Sequence, residues 1–250
     1  STGMRIPGED LPEVYSAIDF LRRVNAGERP DVGAKVVVVG GGNTAIDAAR
    51  CARRLGAETT IVYRRSRAEM PAYAFEVDEA EAEGVTLALL TNPVRVLGED
   101  GKVTGLELLR MALGAPDASG RRRPVPIDGS NYVVPADTVI LAIGQVPDLA
   151  WLPEDCEATR QGAIAHDDAT LATTRPGVFT AGDAATGPRS AIEAIGMAHR
   201  AAESIHRYLS GEDVELVPRI DGEQVVALDR SEVAQGLAQG AIARNPRAHM

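Results

Sequence analysis

Cysteine is scarce in this 250-residue chain, and its scarcity excludes several kinds of redox centre. The two cysteines, Cys51 and Cys156, form no CxxC pair and no metal-ligand cluster. This excludes an iron–sulfur cluster held by this chain alone and argues against a disulfide-exchanging CxxC pair. We therefore predict no metal site and two inert thiols in a reducing cytoplasm.

Long apolar runs and a positive net charge are also missing. No apolar run approaches the ~18 residues of a membrane span. The pattern of a signal peptide, a basic segment followed by an apolar one, is not visible either. The formal net charge of −10 disfavours nucleic acid or an anionic membrane as the main partner, because both attract positive charge. Basic residues cluster only locally, at Arg64–Arg65–Arg67 and Arg121–Arg122–Arg123, and such clusters can bind a phosphate.

The chain is long enough to bury a core, since 44% of its 250 residues are hydrophobic, and one or two domains are expected. Residues 1–12 are rich in Gly and Pro and predict a loop or linker, whereas apolar spacing over residues 13–24 predicts a helix. Farther along the chain, a helix is expected over residues 72–83. Residues 85–97 are expected to be extended and to start an antiparallel hairpin. A loop is expected over residues 114–131, and a buried strand over residues 137–144.

The carboxy-terminal part has a different pattern. Residues 147–177 are irregular, and Gly177–Asp183 predicts a strand that runs into a Gly-Asp turn. A helix is expected from Ser190 to Leu209, because apolar residues recur there at helical spacing. Residues 211–250 form a polar tail with one short helical candidate near Ser231–Ala243.

One βαβ unit carries the strongest functional signal. A valine-rich strand, Lys35–Val39, is followed by a helix over Asn43–Leu55 and a second strand over Glu58–Tyr63. The turn between the first strand and the helix fits the pattern GxGxxA at Gly40, Gly42 and Ala45. This context predicts a dinucleotide site, and a glycine-rich turn without a ligand is the alternative.

Each position of that turn has its own physical role. Gly40 permits the tight turn, Gly42 lets the backbone approach a pyrophosphate, and Ala45 permits close packing of helix on strand. Free N–H groups at the helix start then face the phosphates, and the helix dipole favours their negative charge. Asn43 and Thr44 can add side-chain donors.

The residues after the second strand indicate which dinucleotide is bound. Sites for NAD usually place Asp or Glu there to hold the ribose 2′-hydroxyl. This chain has Arg64 and Arg65 instead, with no carboxylate before Glu69. Guanidinium groups suit a phosphate dianion, so we predict NADPH, with a solvated basic turn as the alternative.

Several motifs occur in the order found in a known family. They are "VVVVGGGNTAIDAAR", "VYRRSRAEMPA", "GRRRPVPIDGS", "VILAIGQVPD" and "GVFTAGDAATGPRSAIEAI". With them the chain resembles the small (beta) subunit of glutamate synthase and related FAD-dependent NAD(P)H oxidoreductases from about Arg5 to Leu209. The resemblance implies an α/β fold, with a Rossmann-like NADPH-binding domain over residues 13–146 and the C-terminal segment of a two-dinucleotide-binding FAD domain over 147–210.

The resemblance also implies roles for individual residues. Gly42, Asn43 and Thr44 would contact the pyrophosphate, and Arg64 and Arg65 the 2′-phosphate of NADPH. The turn Gly144–Gln145 would lie near the nicotinamide-side ribose. Gly182 and Asp183 would contact FAD, and the helix start at Ser190, Ala191 and Ile192 would face the flavin ring. No catalytic acid or base is expected, because hydride transfer from nicotinamide to flavin depends on geometry, and His199 and His206 are interpreted as helix-surface residues.

One part of the family pattern is missing from this sequence. The first FAD fingerprint, a GxGxxG near the start, is absent, and so is the cysteine-rich region that holds iron–sulfur clusters. Weak FAD binding by this chain alone is therefore expected, with FAD shared with a missing half-domain or a partner polypeptide. The sequence also departs from the family pattern at Ala198–His199, in the helix expected near the flavin. At these two positions the family usually has Gly followed by a basic residue.

Two other functions are set beside the oxidoreductase component. A non-catalytic nucleotide-binding or docking module of a larger electron-transfer complex would also explain the missing FAD half. A disulfide reductase of the thioredoxin reductase type is disfavoured by the absent CxxC. Fold resemblance does not identify the final electron acceptor.

Overall fold

A computed structural model of the chain describes residues 3–117, 120–145 and 147–214. Residues 1–2 of the expected linker, almost all of the polar tail and its helical candidate near Ser231–Ala243 lie outside these ranges. The chain divides into two compact units, Ser1–Val146 and Pro147–Met250. The assignment of these units to NADPH and to flavin stays a prediction.

The first unit contains three α-helices and nine strands among its described residues. In chain order they are β1 (Val14–Ser16), α1 (Ala17–Asn25), β2 (Lys35–Val39), α2 (Asn43–Arg54), β3 (Glu58–Tyr63), α3 (Ala74–Ala82), β4 (Thr86–Leu89), β5 (Thr91–Glu99), β6 (Lys102–Pro116), β7 (Arg122–Pro126), β8 (Tyr132–Pro135) and β9 (Thr138–Leu141).

Five strands form a parallel sheet in the order β1-β9-β2-β3-β4. Helices α1, α2 and α3 connect successive strands and pack on one face, where they bury Val36 and Val38 of β2. The alternate residues Val37 and Val39 face the other side, toward β5 and β6. Because both faces are covered, β2 is hydrophobic throughout rather than alternating.

The second sheet is antiparallel and joins β5, β6, β7 and β8. Its long central strand β6 pairs with β5, then with β8 near Leu106 and with β7 near Ala112. Val96, Leu106 and Leu108 pack from this sheet onto the parallel one. The first unit therefore has three layers: helices, a parallel Rossmann-like sheet and an antiparallel sheet.

The second unit is mostly irregular among its described residues. Isolated bridges join Ala158 to Ile164, His166 to Thr173 and Ala172 to Phe179. Two helices follow, α4 (Asp183–Thr186) and α5 (Ala191–Ser210). The strand expected over Gly177–Asp183 is thus reduced to one bridge at Phe179, while the expected long helix is confirmed with Ser190 as its N-cap.

The structure corrects two expectations in the first unit. The helix expected over residues 13–24 begins only at Ala17, because Val14–Ser16 pairs with β9 as an edge strand. The loop expected over residues 114–131 contains the end of β6 and all of β7, which pair with each other. In both segments tertiary hydrogen bonding overrides the local sequence pattern.

No helix within the described ranges is long and apolar enough to cross a membrane.

Candidate functional site

The carboxyl ends of the parallel strands bring three predicted site segments to one edge of the sheet. Val39 of β2 lies beside Val62 of β3 and Leu141 of β9. The segments that leave these strands are Gly40–Gly42, Arg64–Arg65 and Gly144–Gln145. Ligands of parallel α/β sheets bind at this edge, where strand order reverses.

The glycine turn is held closely against its neighbours. Gly40 has φ +149°, and a Cβ there would lie 2.4 Å from the carbonyl oxygen of Ala142. A Cβ on Gly41 would lie 2.5 Å from the ring of the buried Tyr63. At Gly42 the nearest atom to an added Cβ is 3.8 Å away, on Pro71. The third glycine therefore leaves open space for a ligand.

The start of α2 provides donors for an anion. Gly42 is the N-cap, and its carbonyl accepts from Ala45 N at 2.9 Å. The preceding N–H groups, including those of Asn43 and Thr44, have no partner inside the helix. Ala45 is fully buried, which allows the close helix packing that the pattern predicts.

The loop after β3 folds back over the glycine turn. Ala72 N donates to Gly41 O at 3.1 Å, and Tyr73 N donates to Asn43 Oδ1 at 3.0 Å. The hydroxyl of Tyr63 donates to Glu69 O at 2.7 Å. The side-chain oxygen of Asn43 is thus occupied within the protein, and its amide NH₂ is the part left for a ligand.

The structure separates the two arginines that the sequence treats alike. Arg64 is exposed, and within the described chain its side chain has no hydrogen bond or ion pair. Arg65 is only 6% exposed; its Nε donates to Arg122 O at 2.8 Å and its Nη2 to Asp117 Oδ2 at 2.6 Å. Only Arg64 is available to an incoming ligand in this arrangement.

A second carboxylate supports the same loop. Glu69 is buried, and its Oε1 accepts from Arg122 Nε at 2.5 Å. Its other oxygen accepts from the backbone N–H of Ser66 at 3.2 Å and from the Ser66 hydroxyl. These hydrogen bonds, first from Ser66 and then from Arg122, lower the pKa of Glu69. Sequence reasoning missed Glu69 and Asp117, and only the capping-box spacing from Ser66 to Glu69 signals either.

The turn after β9 is open. Gly144 has φ +123° and no atom within 4 Å of an added Cβ, while Gln145 is half-buried. Its side chain has no hydrogen bond among the described residues. Both residues lie at the same sheet edge as Gly42, as the motif predicts, and their proposed contact with the nicotinamide-side ribose stays a prediction.

The second unit contains the remaining predicted residues. Gly182 has φ +62° and precedes Asp183, which is exposed and accepts from Arg189 N at 3.2 Å. Ser190 caps α5 through a capping box with Glu193. The N–H groups of Ala191 and Ile192 have no partner inside the helix, and both residues are exposed.

The capping box places a carboxylate at the start of α5. The hydroxyl and N–H of Ser190 donate to Glu193 Oε2 at 2.6 and 3.0 Å. These bonds, with Arg189, lower the pKa of Glu193 to about 2. The helix start is therefore already partly neutralised, and the donors that remain are those of Ala191 and Ile192.

The structure describes no cluster of three or more metal-ligating side chains within these ranges. Cys51 and Cys156 are free thiols. Burial raises the pKa of the Cys51 thiol, which keeps it protonated and unreactive. His199 and His206 are exposed on α5, the location expected for them.

Comparison with known proteins supports an oxidoreductase assignment. Residues 1–198 match the family described as pyridine nucleotide-disulphide oxidoreductase. The NADP(+)-dependent formate dehydrogenase subunit beta of Moorella thermoacetica is 49% identical over 215 residues, covering 84% of this chain and 30% of that protein. This chain thus spans about a third of that relative's length.

The resemblance to glutamate synthase small subunits is confirmed. The glutamate synthase [NADPH] small chain of Halomonas elongata is 40% identical, with 81% of this chain and 46% of that protein covered. Among solved structures, Mycobacterium tuberculosis FprA in complex with NADPH matches with a TM-score of 0.67 and 22% identity, covering 84% of this chain and 62% of that one. The structural match confirms the predicted fold class, a Rossmann-like domain with a segment of a two-dinucleotide-binding fold.

Proposed function

Since this chain belongs to the pyridine nucleotide-disulphide oxidoreductase family, we propose that it is the NADPH-binding component of an FAD-dependent oxidoreductase. In this role it would bind NADPH so that a hydride passes to FAD and electrons continue to an acceptor. The matching relatives are longer, and this chain covers 30% of the one from Moorella thermoacetica, so the complete activity is proposed for this chain together with a further half-domain or partner.

The observation that carries the proposal is the turn from β2 into α2. It combines N–H groups that have no partner inside α2 with open space above Gly42, whereas Cβ atoms at Gly40 and Gly41 would collide with neighbours. A pyrophosphate fits these features because the N–H groups donate to it and the positive helix end attracts it. The backbone can approach the phosphates only where no side chain intervenes.

The choice of NADPH over NADH rests on Arg64. This side chain is exposed at the end of β3, the place where NAD-binding folds carry an acidic residue for the ribose. A guanidinium attracts a 2′-phosphate and offers it several donors. The relative from Moorella thermoacetica is NADP(+)-dependent by name, which agrees with this choice.

The proposed FAD contacts lie in the second unit. The positive φ of Gly182 brings the chain into α4 without a side chain, and the N–H groups of Ala191 and Ile192 are available at the α5 start. These features suit a polar ligand edge such as a flavin carbonyl. When bound, FAD would supply the hydride-accepting ring, while Asp183 would hold its ribityl or pyrophosphate part.

Electrons would leave through a partner polypeptide or region that carries iron–sulfur clusters, as the family resemblance implies. The cytoplasm is the proposed location, in agreement with two free cysteine thiols.

A docking module is the second candidate function, and α5 favours it. Apolar side chains on this helix are exposed, with Ile192 at 74% and Leu209 at 77%. A helix normally buries its apolar stripe against another element. This surface would pack on a partner, and the chain would then contribute binding surface without turnover.

Titration of the purified chain with NADPH and NADH, followed by nicotinamide fluorescence and calorimetry, tests the main proposal. We expect NADPH to bind more tightly than NADH. Absence of binding by either nucleotide would contradict the proposal, and tighter binding of NADH would overturn only the role of Arg64.

A second assay separates the two candidate functions. The chain is supplied with FAD and an artificial electron acceptor, and NADPH oxidation is followed in the presence of the complementary FAD half-domain of a relative. Turnover excludes a purely structural module. NADPH binding without any turnover in that mixture favours the docking function.

A further inference from the structure

The two consecutive arginines after β3 face opposite surroundings. Arg64 is exposed, whereas Arg65 is buried between the backbone of Arg122 and the carboxylate of Asp117. Both partners of Arg65 are more than 50 residues away in sequence and lie at the two ends of the β6–β7 turn.

On this basis we propose that the two arginines have different roles within the NADPH site. Arg64 binds the 2′-phosphate, and Arg65 is a positioning residue whose buried pair with Asp117 keeps Arg64 turned outward. This inference rests on the proposed function, because it concerns how the same site recognises NADPH.

The buried pair makes Arg65 a poor phosphate ligand. Its side chain is 7% exposed and that of Asp117 is 23% exposed, with 2.6 Å between Nη2 and Oδ2. Removing one partner from such a pair leaves an uncompensated charge in a low-dielectric environment, which is strongly unfavourable. A phosphate that recruited Arg65 would have to break this pair and the bond to Arg122 O. Arg64 requires no such exchange.

Glu69 reinforces the arrangement from the same loop. Arg122 makes two contacts with this loop, because its carbonyl accepts from Arg65 and its Nε donates to Glu69. Glu69 is in turn held by Ser66. The loop after β3 is therefore attached to β7 through Arg65 before Ser66 and through Glu69 after it. Arg64, the first residue of this loop, takes no part in these hydrogen bonds.

The probes for a test are 2′,5′-ADP and 5′-AMP, which differ by the 2′-phosphate. Calorimetry on the full chain gives the ratio of their dissociation constants. Partial unfolding of the chain weakens the binding of both probes alike and leaves the ratio of their dissociation constants unchanged. The ratio therefore reports the 2′-phosphate contact specifically. We expect Arg64→Gln to reduce the preference for 2′,5′-ADP roughly 10- to 100-fold, because a charge-assisted hydrogen bond is lost.

The decisive variant replaces both members of the buried pair, as Arg65→Met with Asp117→Leu. Apolar replacement of a complete buried ion pair is often neutral for stability, and the introduced methionine side chain would stay turned inward. We expect the wild-type preference to be retained within about threefold. If the preference falls as far as in Arg64→Gln, Arg65 is itself the ligand and the inference is overturned.

A single variant keeps the test decisive if the double variant does not fold. Asp117→Asn leaves Arg65 charged but weakens its anchor. We expect a reduced preference for 2′,5′-ADP, because Arg65 is released and Arg64 loses its fixed direction. An unchanged or increased preference would show that Arg65 binds the phosphate directly. Failure of the wild-type chain to bind either probe would instead refute the proposed nucleotide site itself.

Discussion

Three consecutive glycines, Gly40–Gly42, follow β2, and their surroundings differ. Gly40 approaches the carbonyl of Ala142 on the segment after β9, and Gly41 lies against the ring of Tyr63 on β3. Gly42 alone borders open space. The first two glycines therefore serve the packing of the sheet edge, and the third is the one proposed to face a ligand.

Alanine substitutions at Gly41 and Gly42 should separate these roles. Gly41→Ala should lower the free energy of unfolding by about 1–3 kcal/mol, since its methyl group overpacks the buried Tyr63 ring. Gly42→Ala should change stability by less than about 1 kcal/mol, the usual effect at an N-cap. Urea unfolding measures both changes.

The same two variants should differ in nucleotide binding. We expect Gly42→Ala to weaken NADPH binding at least roughly tenfold, because its methyl group occupies the space of the pyrophosphate. Calorimetry on the folded variant measures this effect. Wild-type affinity in Gly42→Ala would place the pyrophosphate elsewhere.

At the scale of elements, sequence pattern predicts β2, α2, β3 and α5 well. The two strands are compact β-branched runs, the two helices have apolar residues at helical spacing, and α5 also has a start signal in Ser190 with Glu193. The short edge strand β1 and the strand β7 were missed, because their pairing depends on β9 and β6. Arg122–Pro126 contains two prolines and reads locally as a loop.

Helices α2 and α3 are joined by an ion-pair cluster around Glu83. Arg54 and Arg50 each place Nη2 2.7 Å from Glu83 Oε1. Their hydrogen bonds lower the pKa of Glu83 from 4.5 to about 2. A carboxyl whose pKa is lower in the folded state stabilises the fold above its unfolded pKa, and this contribution is lost as the pH falls through the folded pKa.

We therefore expect Glu83→Gln to be destabilised by about 1 kcal/mol at pH 7, since exposed ion pairs contribute roughly 0.2–1 kcal/mol each. The difference from wild type should shrink as the pH falls from 4.5 toward 2. Urea midpoints at several pH values measure it. Glu79→Gln is the matched control, because Glu79 pairs only with Arg50 within the described ranges and is 55% exposed. A pH-independent difference would contradict this account.

At the scale of the whole molecule, the fold class and the sheet-edge segments could be predicted because they depend on local strand–turn–helix signals. The burial of Arg65 beside an exposed Arg64 could not, since Asp117, which pairs with Arg65, lies 52 residues away. The exposure of the α5 apolar stripe was equally hidden, because helical periodicity shows that a face is apolar and not whether the chain itself covers it. Long-range pairing and the identity of a covering partner are absent from local sequence.

The two compact units should respond separately to their two proposed ligands. A ligand at 100 times its dissociation constant stabilises the bound form by about 2.7 kcal/mol. Amides whose exchange requires release of that ligand should then exchange roughly 100-fold more slowly. With NADPH, we expect this protection at Gly40–Ile46 and at Tyr63–Tyr73 in the first unit, and not at Gly182–Ile192.

Hydrogen exchange with mass spectrometry measures this pattern, and FAD provides the reciprocal experiment. FAD should protect Gly182–Ile192, weakly for this chain alone, because the donors of Ala191 and Ile192 are only part of a complete flavin site. Adding a complementary FAD half-domain should increase that protection while leaving protection by NADPH in place. If NADPH alone protected Gly182–Ile192, the nucleotide would bind to the second unit. That result would overturn the proposed assignment of Ser1–Val146 to NADPH and of Pro147–Met250 to FAD.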